Sequence, residues 1–94
     1  MASPSFQIFI RLPMNRTIVM DATSATTGVQ IKRFVWWREG IPVEVQWLST
    51  GARLIGDQMP IDDANVDRES TVWCHIRGPA DYSDTDINEN PQSY

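Results

Sequence analysis

Apolar and polar residues alternate along Phe6–Arg11, with Phe6, Ile8 and Ile10 set against Gln7, Phe9 and Arg11. A period of two is that of a strand with one buried face. Pro13, Met14 and Asn15 then supply turn chemistry. Thr17–Ala22 resumes the alternation, with Ile18, Met20 and Ala22 on one side. Two such runs around a short loop predict an antiparallel hairpin. The period then changes. Thr27 suits an N-cap and Gln30 takes the capping-box position. Ile31 and Val35 share one helical face, and Gly40 and Pro42 stop the helix. The pattern predicts a helix over Gly28–Arg38. Val45–Thr50 reads as a third strand, Gly51 and Ala52 as a turn, and Arg53–Ile55 as a short return strand. Residues 56–69 are turn-rich and acidic, with Ile61 and Val66 as isolated apolar anchors. In Ser70–Arg77, Val72, Cys74 and Ile76 alternate against Trp73, His75 and Arg77, which predicts the last strand. Beyond Gly78 and Pro79 the aliphatic residues all but vanish. The reading is a flexible leader over 1–5, a domain over 6–78 and a disordered acidic tail or linker over 79–94. The element order is that of an α+β domain, one helix laid across a small mixed sheet of four to five strands.

Composition narrows the function classes. Eight Lys+Arg against twelve Asp+Glu leave a formal charge of −4. That balance provides no basic field for nucleic acid or an acidic membrane, so neither is expected as a partner. One cysteine excludes an internal disulfide, and with one histidine it excludes a standard zinc cluster. No cofactor is expected. No apolar run reaches the roughly 18 residues of a membrane span, and no signal peptide is evident. The expected setting is the cytosol or nucleus. Cys74 takes an inward strand position, where a thiol acts as a small core residue. His75 points to the opposite face, which defeats a Cys–His pair. Asp62 and Asp63 read as loop solvation or a cap, and Asn15-Arg16-Thr17, although a glycosylation sequon, as a hairpin turn. No catalytic constellation assembles, so the chain is not read as an enzyme.

More specific residues lie in one register along the domain. Phe6-Gln-Ile-Phe-Ile, Thr17-Ile18, Lys32, Glu39-Gly-Ile-Pro, Gln46, Leu48, Asp57, Asp63, Asn65 and Glu69-Ser-Thr resemble the ubiquitin family, with no insertion or deletion from Phe6 to about Arg77. The resemblance implies the β-grasp fold. It also implies an ion pair between Lys32 and Asp57, costly to break from one side when partly buried.

Departures from the family pattern bear on function. Ubiquitin ends in Leu-Arg-Leu-Arg-Gly-Gly, and conjugation needs the free diglycine. Here the stretch is Ile76-Arg-Gly-Pro-Ala-Asp, and no Gly-Gly occurs anywhere. Pro79 fixes φ and lacks an N–H where a processing enzyme would need a free chain. Positions that are chain-linking lysines in ubiquitin are here Arg11, Arg16, Arg38, Arg53 and Arg68, with Phe34 at another. Arginine keeps the charge but offers no amine for an isopeptide bond. This reads either as shielding from modification or as neutral replacement on a solvated surface.

Family members bind most partners through a small apolar patch on the outer sheet face. The matching positions are Pro13, Ser49, Trp73 and His75. Serine and histidine replace apolar anchors, and either one left unpaired in a contact would cost about 1–3 kcal/mol. Trp73 and Trp47 nevertheless add large apolar area. The resemblance places Trp47, Ser49, Trp73, His75 and Arg77 outward on one face, the candidate protein-binding surface. Two other readings are that each Trp lies flat to stabilise the sheet, or that Tyr82 or Tyr94 of the tail packs back onto them. Trp36 and Trp37 are adjacent in the helix, about 100° apart, so both cannot face the core. With Phe34 they form a possible second surface, for a partner or for self-association. The plainer reading has a Trp closing the helix end against Val43 and Val45. The functional expectation is a non-conjugated protein-binding module. It would be an adaptor domain at the N-terminus of a larger protein linked to the ubiquitin–proteasome system. The alternatives are a modifier or its precursor, and a self-associating structural domain.

Overall fold

The computed structural model describes residues 4–51 and 53–77. The tail expected over 79–94, most of the leader and Ala52 lie outside the described residues. The elements run in the order β1 (Phe6–Leu12), β2 (Arg16–Ala22), α1 (Gly28–Glu39), a 3-10 turn (Val43–Val45), β3 (Gln46–Thr50), β4 (Arg53–Ile55), a second 3-10 turn (Ile61–Ala64) and β5 (Thr71–Ile76). Five strands form one sheet in the order β2-β1-β5-β3-β4. β1 and β5 pair in parallel at its centre, and every other pair is antiparallel. This is the mixed sheet and single main helix of a β-grasp.

Local chemistry fixes the helix at both ends. The Thr27 amide donates to Gln30 Oε1 at 2.8 Å, the backward bond of a capping box. Gly40 adopts φ 76°, and its N–H donates to the Trp36 carbonyl at 2.8 Å. A left-handed residue at this position is favoured as glycine. Gly28 answers a different need, because a Cβ there would clash with the Gly56 carbonyl oxygen. The helix therefore starts pressed against the chain after β4.

One face of the sheet and one face of the helix share the core. Ile8, Ile10, Ile18, Ile31, Val35, Leu48 and Val72 are buried there. Ile61 and Val66, the anchors of the acidic stretch, are fully buried too. An isolated bridge between Thr27 and Pro60 and the Ile61 N–H bond to the Thr26 carbonyl (2.7 Å) help to hold that stretch. Ile76 departs from the expected alternation and is 41% exposed, because β5 runs past the end of the core there. The expected third strand begins one residue late, since Val45 closes the 3-10 turn by donating to the Pro42 carbonyl.

Two polar links tie the helix to its surroundings. Lys32 Nζ lies 2.7 Å from Asp57 Oδ1, the ion pair that the resemblance implies, with the lysine largely buried. Gln46 is fully buried and donates from Nε2 to the carbonyls of Lys32 (3.0 Å) and Ile41 (2.9 Å). Its Oε1 accepts from Cys74 Sγ at 3.5 Å. One amide thus clamps the helix and the chain after it to the sheet, and no polar atom of that side chain is left without a partner.

Candidate functional site

Strand register assembles the outer face. Arg11 pairs with Thr17 across the hairpin and with Trp73 on β5. Trp73 pairs with Ser49, and Ser49 with Leu54. Thr17, Arg11, Trp73, Ser49 and Leu54 therefore form one row across all five strands. Trp47 and His75 are the next pair along β3 and β5. Directly opposed residues on an antiparallel pair have Cβ atoms about 5 Å apart, which brings the side chains of those pairs within reach of one another.

The contacts make a rigid platform. The Trp47 ring stacks on the His75 imidazole, centroids 3.9 Å apart and planes inclined by 18°. His75 Nε2 lies 2.9 Å from Ser49 Oγ. The Arg11 guanidinium carbon sits 5.9 Å from the Trp73 ring centroid, within cation–π range, while its Nη2 donates to Asn15 Oδ1 at 3.1 Å. The two Trp rings remain 38% (Trp47) and 42% (Trp73) exposed. So the reading in which each Trp braces the sheet holds for the stacked side of Trp47, and a large apolar area still faces outward.

Ser49 needs correction. The sequence places it outward as a contact residue. It does point to the outer face, but it is only 9% exposed. A short side chain between Trp73 and Leu54 in the row is shadowed by both. Its hydroxyl instead satisfies the imidazole, so the two polar replacements in the patch pair with each other. A hydroxyl bonded to an imidazole is also the contact of a hydrolytic dyad. Among the described residues no carboxylate bonds this imidazole, so the triad arrangement is not built.

Two grooves flank Trp47. One runs between Trp47, Trp73 and His75 and the hairpin residues Arg11, Pro13 and Met14. The other lies between Trp47, Leu54, Gly56 and Arg77. Arg77 stands beside β3, its N–H bonded to the Val45 carbonyl at 2.7 Å. Neither groove has a carboxylate in its lining. Leu54 (62% exposed) and Met14 (95% exposed) extend the apolar area, and the sequence reading passed over both. Leu54 carried a signal, since neighbouring apolar residues in a strand must point to opposite faces and Ile55 takes the core.

The helix surface is separate. Trp36 is 55% and Trp37 74% exposed. Phe34 packs partly against the core and meets the Trp37 ring at 6.1 Å, so it supports that surface more than it extends it. Trp36 and Trp37 line a groove with Pro42 and Val43, as the plainer reading expected for Val43, but most of the indole surface stays open. Val45 is not part of the lining.

Other chemistry is quiet. Burial pushes the Cys74 thiol up to about 11, so it is no nucleophile near neutral pH. Among the described residues no cluster of three His, Cys, Asp or Glu side chains is placed to hold a metal. Asp62 and Asp63 lie exposed in the second 3-10 turn, whose N-cap is Pro60 and which has no side-chain capping bond, so of the two roles expected they fit loop solvation and not a cap. No described helix is long and apolar enough to cross a membrane. The packing of Tyr82 or Tyr94 falls outside the described residues. The outer face is thus an aromatic platform bordered by cations. The family model described as "Ubiquitin family" matches residues 8–79. With the β-grasp topology and the shared register, that match establishes that the chain belongs to the ubiquitin family.

Proposed function

We propose that this chain is a non-covalent protein-interaction module and that its outer sheet face is the binding surface. The observation that carries this reading is the pair of half-exposed indoles on a braced sheet. Large, pre-ordered aromatic side chains bind at low entropic cost and dominate interface energetics. Trp47, Trp73 and Arg77 make the contacts; Ser49 and His75 hold the platform. The missing Gly-Gly and the arginines at lysine positions favour a module that is neither conjugated nor built into chains. We further read it as a non-enzymatic adaptor domain at the N-terminus of a larger protein, acting in the ubiquitin–proteasome system of the cytoplasm or nucleus.

A paired pull-down tests the surface. The wild type is compared with Trp47→Ala/Trp73→Ala, its folding checked by circular dichroism. Partners held by the wild type and lost by the variant support the reading. Identical partner sets would defeat it.

A second reading has one observation in its favour. Trp36 and Trp37 are both more than half exposed on the helix, which suits self-association. Light scattering over a concentration series decides it: a mass that rises with concentration, and stops rising in Trp37→Glu, supports a second copy as the occupant.

A further inference from the structure

Charge is divided unevenly along this chain. All eight Lys and Arg residues lie within positions 1–77, and so do eight of the twelve acids. The folded domain is therefore formally neutral. The whole net charge of −4 comes from Asp81, Asp84, Asp86 and Glu89, in a stretch with no cation. Tyr82 and Ile87 are interleaved with those acids. Both grooves on the outer face have the complementary character: exposed indole and aliphatic surface, Arg11 on one side, Arg77 on the other, and no carboxylate in either lining.

The last described residues also lie at this face. Ile76 lines the first groove and Arg77 the second, and Trp47 lines both. From β3 to β1 is two strand spacings, roughly 10 Å. Seven extended residues reach about 25 Å, which brings Asp84 within range of Arg11. A tethered segment of this length acts at an effective concentration in the millimolar range, so even a weak contact is populated.

We propose that residues 81–89 of this same chain occupy the outer sheet face, covering Trp47 and Trp73 until a partner displaces them. The proposal rests on the reading of that face as the binding surface, whose regulation it supplies. Carboxylates meet Arg11 and Arg77, and Tyr82 or Ile87 lies against an indole. The groove at Trp36 and Trp37 has one cation, Arg33, but also Glu44 in its lining, so it lacks the net positive border of the outer-face grooves.

The test uses the full chain. A nitroxide is attached through Ser93→Cys; Cys74 stays unlabelled because it is buried and its thiol is pushed up to about 11. Paramagnetic broadening is read on the four indole N–H signals. The expected result is broadening of Trp47 and Trp73 at least about twofold above that of Trp36 and Trp37. The contrast should fall about twofold or more in roughly 0.5 M salt, and also in the Asp81→Asn/Asp84→Asn/Asp86→Asn/Glu89→Gln variant. Equal broadening at all four indoles overturns the proposal. So does broadening centred on Trp36 and Trp37, or a contrast that survives neutralisation of the acids. The pull-down with Trp47→Ala/Trp73→Ala is independent of this readout. Partner loss there without the broadening contrast rejects the segment and keeps the face. The contrast without partner loss rejects the face as a partner site.

Discussion

Trp47 and His75 stand opposite each other on β3 and β5 with their rings stacked at 3.9 Å, and the same imidazole reaches Ser49 Oγ at 2.9 Å. Positions that would weaken an apolar patch are thereby turned into a brace. His75→Ala removes both the stack and the hydrogen bond. Such contacts contribute about 1 kcal/mol each, so a loss of roughly 1–2 kcal/mol is expected. Denaturant unfolding measures it, and a red shift of Trp47 fluorescence should accompany it. An unchanged emission maximum would mean that the stack does not persist in solution.

Gln46 is the clamp between helix and sheet. Gln46→Leu keeps the volume but leaves the Ile41 carbonyl without its donor and removes a bond to the Lys32 carbonyl. Burying an unpaired carbonyl costs about 1–3 kcal/mol, and two carbonyls are affected, so a loss of about 2–4 kcal/mol is expected. Urea unfolding gives the value. A loss well below about 1 kcal/mol would show that water replaces the amide.

Arg16 and Glu39 join the hairpin turn to the helix end by two parallel bonds, Nε to Oε1 at 2.6 Å and Nη2 to Oε2 at 3.0 Å. The hydrogen bond from Arg16 holds the Glu39 carboxyl below its ordinary value of 4.5. A carboxylate with a lowered folded value stabilises fully above the unfolded value, and that contribution is lost as pH falls through the folded one. Stability should therefore decline on acidification below about pH 4.5. In Glu39→Gln this part of the decline should be absent. Unfolding midpoints of both proteins between neutral and acidic pH test the difference, and parallel curves would count against the pair.

Gly28→Ala should destabilise despite the higher helix propensity of alanine. The added methyl would clash with the Gly56 carbonyl oxygen, and backbone must shift to admit it. Overpacking of this kind costs about 1–3 kcal/mol. Thermal unfolding reads the loss. A gain in stability would show that the loop after β4 moves freely.

The two periodicities of the chain were enough to place every main element. Alternation in Phe6–Arg11 and Thr17–Ala22, the i,i+4 pair Ile31 and Val35, and the stops at Gly40 and Pro42 are local signals, and local signals survive in a linear reading. The fold followed from them and from the shared register with the ubiquitin family. Cys74 as a core residue followed from strand parity, and two tryptophans on the outer face from the register shared with the family.

What parity cannot say is what a neighbouring strand brings alongside. Ser49 and Trp47 lie on the same strand face, yet one is shadowed and the other is half open, because the residues beside them come from β4 and β5. The pairing of Ser49 with His75, the guanidinium over Trp73 and the role of Leu54 all arise across strands distant in sequence. Gly28 is needed only because Gly56 approaches it, and Gln46 is a clamp only because helix and sheet meet there. Side-chain parity and helix stops are written along the chain. Contact, shielding and partnership between polar groups are set by register and packing, which exist only once the strands are side by side.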